Sequence, residues 1–137
     1  TPSQVGKASR DKGKVKERHA VTLLRNLGFP DAQRTVQYAG RTGLVGDVAC
    51  PETLPNIVIE VKDVQAVRIG TKALDDACVQ AIEEAGPGKV GVVVWWETRG
   101  GWRVSWRQSV GSPTLTMTDE DEFAARLRMW NRGAAGA

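Results

Sequence analysis

From Lys14 to Asn26 the polar and apolar positions alternate with a helical period. Glu17, Ala20, Val21 and Leu24 fall at i, i+3, i+4 and i+7 and share one face. Gly28 and Pro30 then stop the helix. Gln33 to Ala39 suits a strand, and Gly40, Gly43 and Gly46 punctuate the loop behind it. Val45 to Cys50 and Asn56 to Val64 read as two further strands, joined by a turn around Pro51 to Pro55. Helical spacing returns over Ile69 to Ala85, where Leu74, Ala77, Cys78 and Ala81 line one side, and Gly86-Pro87-Gly88 ends it. Lys89 to Trp96 is almost continuously apolar, as in a strand covered on both faces. A turn at Arg99-Gly100-Gly101 leads to a last strand in which Trp102, Val104 and Trp106 alternate. A final helix runs from Thr118 to about Trp130, with the acids of 119–122 at its positive end.

This order, α-β-β-β-α-β-β-α, predicts an α/β protein with a central mixed β-sheet flanked by helices. The 137 residues make one domain, expected to carry a flexible basic arm over 1–12 and a frayed tail over 131–137. Apolar residues are 41% and charged residues 26%, a balance that supports a packed core and excludes a disordered chain. There is no apolar run of 18 residues, so no membrane span is expected. The first residues show no secretory pattern, and Thr1 in place of an initiator Met is compatible with processing or trimming. Cys50 and Cys78 are too few for a disulfide framework or a four-ligand zinc site and read as apolar fillers. A cytoplasmic protein of a reducing compartment is the expectation.

Charge changes the picture. Residues 1–45 hold nine Lys and Arg against three Asp and Glu, a surplus of +6, while the other 92 residues carry −3. Such a local positive field suits a polyanion such as nucleic acid, and equally a solvated basic tail.

The candidate chemistry lies in Gly46-Asp47 and in Glu60-Val61-Lys62. Residues two apart on a strand point to one side, so Glu60 and Lys62 project together while Ile57, Ile59 and Val61 form an apolar face. Charges in a middle strand cost several kcal/mol unless they are paired or bind a metal. A hairpin register would bring Asp47 to Glu60. Two carboxylates in contact repel, and a hard divalent cation, Mg2+ or Mn2+, relieves the repulsion. A neighbouring lysine can orient water or stabilise charge on a phosphate. That equipment suits phosphodiester hydrolysis. The same three residues also suit a surface salt bridge between Glu60 and Lys62.

Taken in order, several stretches resemble the archaeal-type Holliday junction resolvases, a family also carried by some phages, within the PD-(D/E)xK nuclease superfamily. They are Lys12-Gly13 with Glu17-Arg18, Leu27-Gly28-Phe29, Arg34, Asp47-Val48-Ala49, Ile59-Glu60-Val61-Lys62 and Gly101-Trp102-Arg103-Val104, covering roughly residues 12–107. The resemblance implies a restriction-endonuclease-like core and a Mg2+-dependent endonuclease acting as a homodimer on opposing strands of a four-way DNA junction. It implies Asp47 and Glu60 as metal ligands and Lys62 as the catalytic lysine. Glu17 would complete the metal site, with the Val61 carbonyl as an extra ligand. Arg18 and Arg34 match basic positions that serve the substrate. Where the family carries Ser-Gly, this chain has Tyr38-Ala39-Gly40, and Thr42 offers the replacement hydroxyl. Another PD-(D/E)xK nuclease, for nicked or flapped DNA, and a non-catalytic DNA-binding module are the alternatives.

DNA contacts are expected from Arg10, Lys12, Lys14, Lys16 and Arg18 in the basic third, from Arg41 in the glycine loop, and from Lys72. His19, alone on a basic helix, reads as a solvent or phosphate contact rather than a general base. The five tryptophans read as core or dimer packing in preference to DNA stacking. The dimer interface is expected on the second helix, around Leu74 and Cys78, or on the last strands.

Overall fold

The computed structural model describes residues 2–35, 45–62, 71–97 and 100–135, with side chains described from Lys14 onward. The chain is an α/β protein; among the described residues three helices flank a six-stranded mixed sheet. Helix α1 (Pro2–Asn26) leads to strands β1 (Gln33–Arg34), β2 (Val48–Ala49) and β3 (Ile57–Lys62). Helix α2 (Thr71–Ala85), strands β4 (Val90–Glu97), β5 (Gly101–Trp106) and β6 (Leu115–Met117), and helix α3 (Glu120–Ala135) follow. The strands lie in sequence order across the sheet. Among the described strands β3 and β4 are parallel and the other neighbours antiparallel. A parallel pair needs a long crossover, and α2 supplies it.

The two faces of the sheet are covered separately. On one, Ala20, Val21 and Leu24 of α1 and Phe123 and Leu127 of α3 pack on Ile57, Ile59, Val92, Val94, Trp102 and Val104. On the other, Leu74, Ala77, Cys78 and Ala81 of α2 pack on Val93 and Trp95. The alternation of β3 sorts its residues accordingly. Ile59 belongs to the first core, and Glu60 pairs with Val93 in the α2-facing row. A Cβ on Gly91 would lie 2.2 Å from the Ala81 carbonyl oxygen, so glycine lets the α2 backbone lie directly on the sheet.

Several boundaries differ from the expectations. Helix α1 starts at Pro2, ahead of the expected start near Lys14, and takes in residues 2–12 of the expected arm. Proline suits a first helical position. Helix α3 continues past Trp130 to Ala135. Its start is capped by Asp119, whose Oδ1 accepts from the Asp121 N–H at 3.0 Å. Strand β6 was not expected, because three residues are too few to display a period of two. The expected strand ends at Ala39 and Val64, the helix start at Ile69, and the turn residue Arg99 lie outside the described residues. So do Arg41 and Thr42.

The tryptophans are mainly core residues. Trp95 and Trp102 are buried, Trp96 meets Trp102 edge to face at 5.4 Å, and Trp106 stacks on Trp130 at 4.7 Å. Leu74 and Cys78 are 8% and 1% exposed, buried by their own sheet. The Leu74 and Cys78 side of α2, one of the two surfaces expected for a dimer, is therefore packed on its own sheet. Burial pushes the thiols of Cys50 and Cys78 up to about 12 and about 11, which suits fillers and not nucleophiles. Among the described residues, no helix is long and apolar enough to cross a membrane.

Candidate active site

Strands β2 and β3 run antiparallel with Val48 opposite Ile59, so the next position along sets Asp47 opposite Glu60. Two backbone features fix Asp47 there. Gly46 has φ +83°, and a Cβ on it would lie 2.7 Å from the Ile59 carbonyl oxygen, so only glycine admits this approach. The Asp47 N–H donates to that carbonyl at 2.8 Å, and on the other side the Thr35 N–H donates to the Asp47 carbonyl at 3.1 Å. The Asp47 carboxylate turns onto β3, where Oδ2 accepts from the Val61 N–H at 2.8 Å. Val61 thus belongs to the site through its backbone.

Glu60 is the unusual residue. It is only 4% exposed, and its Oε1 is buried with no hydrogen-bond partner among the described residues. Burial pushes its carboxyl up to about 9, and the adjoining carboxyls of Glu84 and Asp47 add to the shift. Such a group is costly when ionised. Glu84 moves the other way. A hydrogen bond from Glu60 holds it below the usual carboxylate range, against some desolvation, helped by Gln80 and the positive charge of Lys62. Glu60 therefore keeps the proton and Glu84 the negative charge. The Gln80 side-chain amide donates to Glu84 Oε1 at 3.1 Å. Lys62 is half-buried, two residues beyond Glu60 on the same side of the strand.

Among the described residues, no three His, Cys, Asp or Glu side chains are gathered as a ready-made metal cage. The donor set nonetheless fits a hard divalent ion. The candidate donors are oxygens, and Glu60 Oε1, without a partner among the described residues, is a buried acceptor that a cation would satisfy.

The remaining expected residues divide. Glu17 lies on the α1 side of the sheet, where its Oε1 accepts from Arg34 Nε at 3.0 Å. Both are largely buried, with side-chain exposures of 20% and 9%. Arg34 is thus committed to an ion pair, and Glu17 is not among the groups that shift Glu60. Lys16 sits 5.9 Å over the Trp96 ring, at the β4 end that follows the Lys62–Trp95 pair. Lys14, Arg18 and His19 are exposed on α1. The side chains of Arg10 and Lys12 lie outside the described residues. Lys72 is exposed and pairs with Asp76 at 3.0 Å on the first turns of α2.

Glu84 is the residue that sequence reasoning missed. A signal existed: Ala77, Ala81 and Glu84 fall at i, i+4 and i+7, so an acid continues the buried stripe of α2. No family model, curated protein or solved structure matches the chain.

Proposed function

We propose that this protein is a Mg2+-dependent DNA endonuclease with a restriction-endonuclease-like core, and specifically a resolvase of four-way junctions. The observation that carries the reading is the pair of Asp47, just before β2, and Glu60 on β3, with a buried Glu60 oxygen that has no partner among the described residues and Lys62 two residues on. The element order agrees with the resemblance in the sequence, as does the basic first third.

Each residue has a physical task under this reading. Asp47 and Glu60 would hold the ion, with the Val61 backbone fixing the Asp47 carboxylate. A bound divalent ion supplies charge neutralisation at the scissile phosphate and makes a water more acidic. Lys62 places a positive amine where charge develops on the phosphate, a preorganised contact that needs no rearrangement during reaction. Lys14, Lys16 and Arg18 hold the flanking backbone through sequence-independent contacts. Manganese would substitute for magnesium because both accept oxygen ligands. A homodimer matches a substrate with two-fold symmetry and two opposed scissile bonds.

The test is cleavage of a labelled four-way junction, a nicked or flapped duplex and a matched plain duplex, each with Mg2+ or with EDTA. Mg2+-dependent, paired nicks in the junction are expected. Preference for the nicked or flapped duplex would leave a nuclease of another substrate. Binding without cleavage in Mg2+ and Mn2+ would leave a DNA-binding module.

A further inference from the structure

The helices on the two faces of the sheet carry opposite charge. Helix α2 holds one lysine against four acids. On the other face, residues 18–30, which end α1 and turn toward β1, and residues 123–135 of α3 hold five arginines and no acid. These are Arg18, Arg25, Arg126, Arg128 and Arg132, all exposed. Two of them meet at one corner. The Arg128 guanidinium lies 4.9 Å over the Phe29 ring, and a Cβ on Gly28 would stand 2.9 Å from one of its nitrogens. Arg25, one turn before Gly28, donates from Nε to the Ala32 carbonyl at 3.1 Å. Among the described residues neither arginine has an acid within ion-pair distance.

We propose that this corner is a phosphate clamp for a nucleic-acid duplex, set at the far end of α1 from Lys16. It goes beyond the proposed nuclease site, since a duplex can seat here whether or not Asp47 and Glu60 hold a cation. The two guanidinium groups are fixed by a carbonyl and a ring, and neither partner neutralises them. Their charge is therefore left for an outside anion, and a planar fork of N–H donors matches a phosphate. Lys16 and Arg25 lie about 14 Å apart along a continuous helix at 1.5 Å per residue. That length is about four base pairs of duplex. One side of a duplex can thus follow α1 from Lys16, at the Lys62 end of the sheet, to the Arg25–Arg128 corner. An acidic membrane surface fits less well. A helix lying in a bilayer interface needs a free apolar face, and those of α1 and α3 are buried through Leu24, Phe123 and Leu127.

The test is binding of the full chain to a plain DNA duplex and to vesicles of anionic phospholipid, each across a salt series without divalent ions. The variants are the double Arg25→Gln, Arg128→Gln and the charge-keeping double Arg25→Lys, Arg128→Lys, with circular dichroism melting to check folding. Each phosphate contact contributes about −0.9 to the slope of log K against log salt. The glutamine double should therefore flatten the duplex slope by about two units, and the lysine double should stay within about half a unit of the parent. If the glutamine double does not fold, the two single glutamine variants decide the point, each expected to flatten the slope by about one unit. A parent-like slope in the glutamine variants, or equal flattening in the lysine double, overturns the clamp. Binding to vesicles and not to duplex would make the partner a membrane and overturn the assignment to nucleic acid, as would a parent that binds neither. Cleavage of a junction in Mg2+ separates this inference from the nuclease reading. An active parent whose glutamine double binds DNA normally loses the clamp and keeps the nuclease. An inactive parent whose glutamine double shows the flattened slope loses the nuclease and keeps the clamp.

Discussion

Two buried polar residues sit in the same row across the α2-facing side of the sheet, with Val93 between them: Glu60 on one flank and Ser105 on the other. Both are nearly inaccessible, at 4% and 0% exposure. Ser105 is fully satisfied. Its Oγ accepts from the Trp95 indole N–H at 2.9 Å and shares a hydrogen bond with Thr116 Oγ1 at 2.7 Å, tying β4, β5 and β6 together. Glu60 has an oxygen with no partner among the described residues, and the carboxyls of Glu84 and Asp47 add to the upward shift of its own. A fold that needed only stability would have treated both positions alike, because an unsatisfied buried group costs about 1–3 kcal/mol and a charged one more. The difference separates a polar group that serves the architecture from one whose burial the architecture does not explain, which is what the proposed cation site would account for.

The sharpest break of this comparison is catalytic. Under the proposed function, Asp47→Asn and Glu60→Gln preserve shape and remove the carboxylates that would hold the ion. Each should lower Mg2+-dependent cleavage by at least about 100-fold, with DNA binding retained. Single-turnover cleavage with parallel binding titrations tests both statements. Full activity in either variant would return Glu60 to the class of structural groups, beside Ser105. Lys62→Ala should lose about 3 kcal/mol of transition-state stabilisation, roughly 100-fold in rate, while keeping its metal affinity. Loss of metal affinity with near-normal turnover would contradict that role.

The pairing of Asp47 with Glu60 was legible because it follows from two short-range rules. Strand alternation puts Glu60 and Lys62 on one side, and a hairpin after Gly46 brings Asp47 opposite. The polar members of that strand were visible as an anomaly in an apolar setting. Glu17 illustrates the limit. Its place on the inward face of α1 was readable, but which side of the sheet α1 would cover was not. That choice depends on the packing of Ala20 and Leu24 against Ile57 and Ile59, a long-range contact. Glu84 required the complementary knowledge that α2 lies on the Glu60 side and that Gly91 lets it come close. Strand β6 owes its existence to pairing with β5 and has too little sequence of its own to announce it.

Between the two flanks the pH response should differ, and the sign follows from Glu60. Its folded carboxyl is raised from 4.5 to about 9 by burial and by its acidic neighbours. Below about pH 4.5 both folded and unfolded chains hold this proton, and Glu60 carries no penalty. Above it the unfolded chain releases the proton first, so stability falls as pH rises towards 9, by at most about 1.4 kcal/mol per unit. Glu84, held low by the hydrogen bond from Glu60, contributes stability that is lost only as pH drops below the ordinary carboxylate range. In EDTA, denaturation midpoints from pH 5 to 9 should therefore decline for the parent chain and flatten for Glu60→Gln. Mg2+ should restore stability to the parent at high pH and do little for the variant. A parent curve that is already flat in EDTA would mean that Glu60 is not held in its protonated form.

The smallest effect concerns Ser105 and completes the contrast. Ser105→Ala removes an acceptor from the buried Trp95 N–H and a partner from the exposed Thr116 Oγ1. The cost should be about 1–3 kcal/mol, the range for leaving a buried donor unpaired. It should appear as a lower urea midpoint with an unchanged slope, since the surface exposed on unfolding stays the same. Cleavage and Mn2+ binding should be preserved, because Val93 separates Ser105 from the acids. Glu60→Gln at pH 8 in EDTA should move the midpoint in the opposite direction, by replacing a buried carboxyl with a neutral amide that can donate to Asp47 or Glu84. Opposite shifts in stability, with function lost only in the glutamate variant, are the behaviour expected of a satisfied group and an open one in the same row. If Ser105→Ala is neutral, the Trp95–Ser105–Thr116 chain contributes nothing to holding β6, and satisfaction of a buried polar group ceases to distinguish the two flanks.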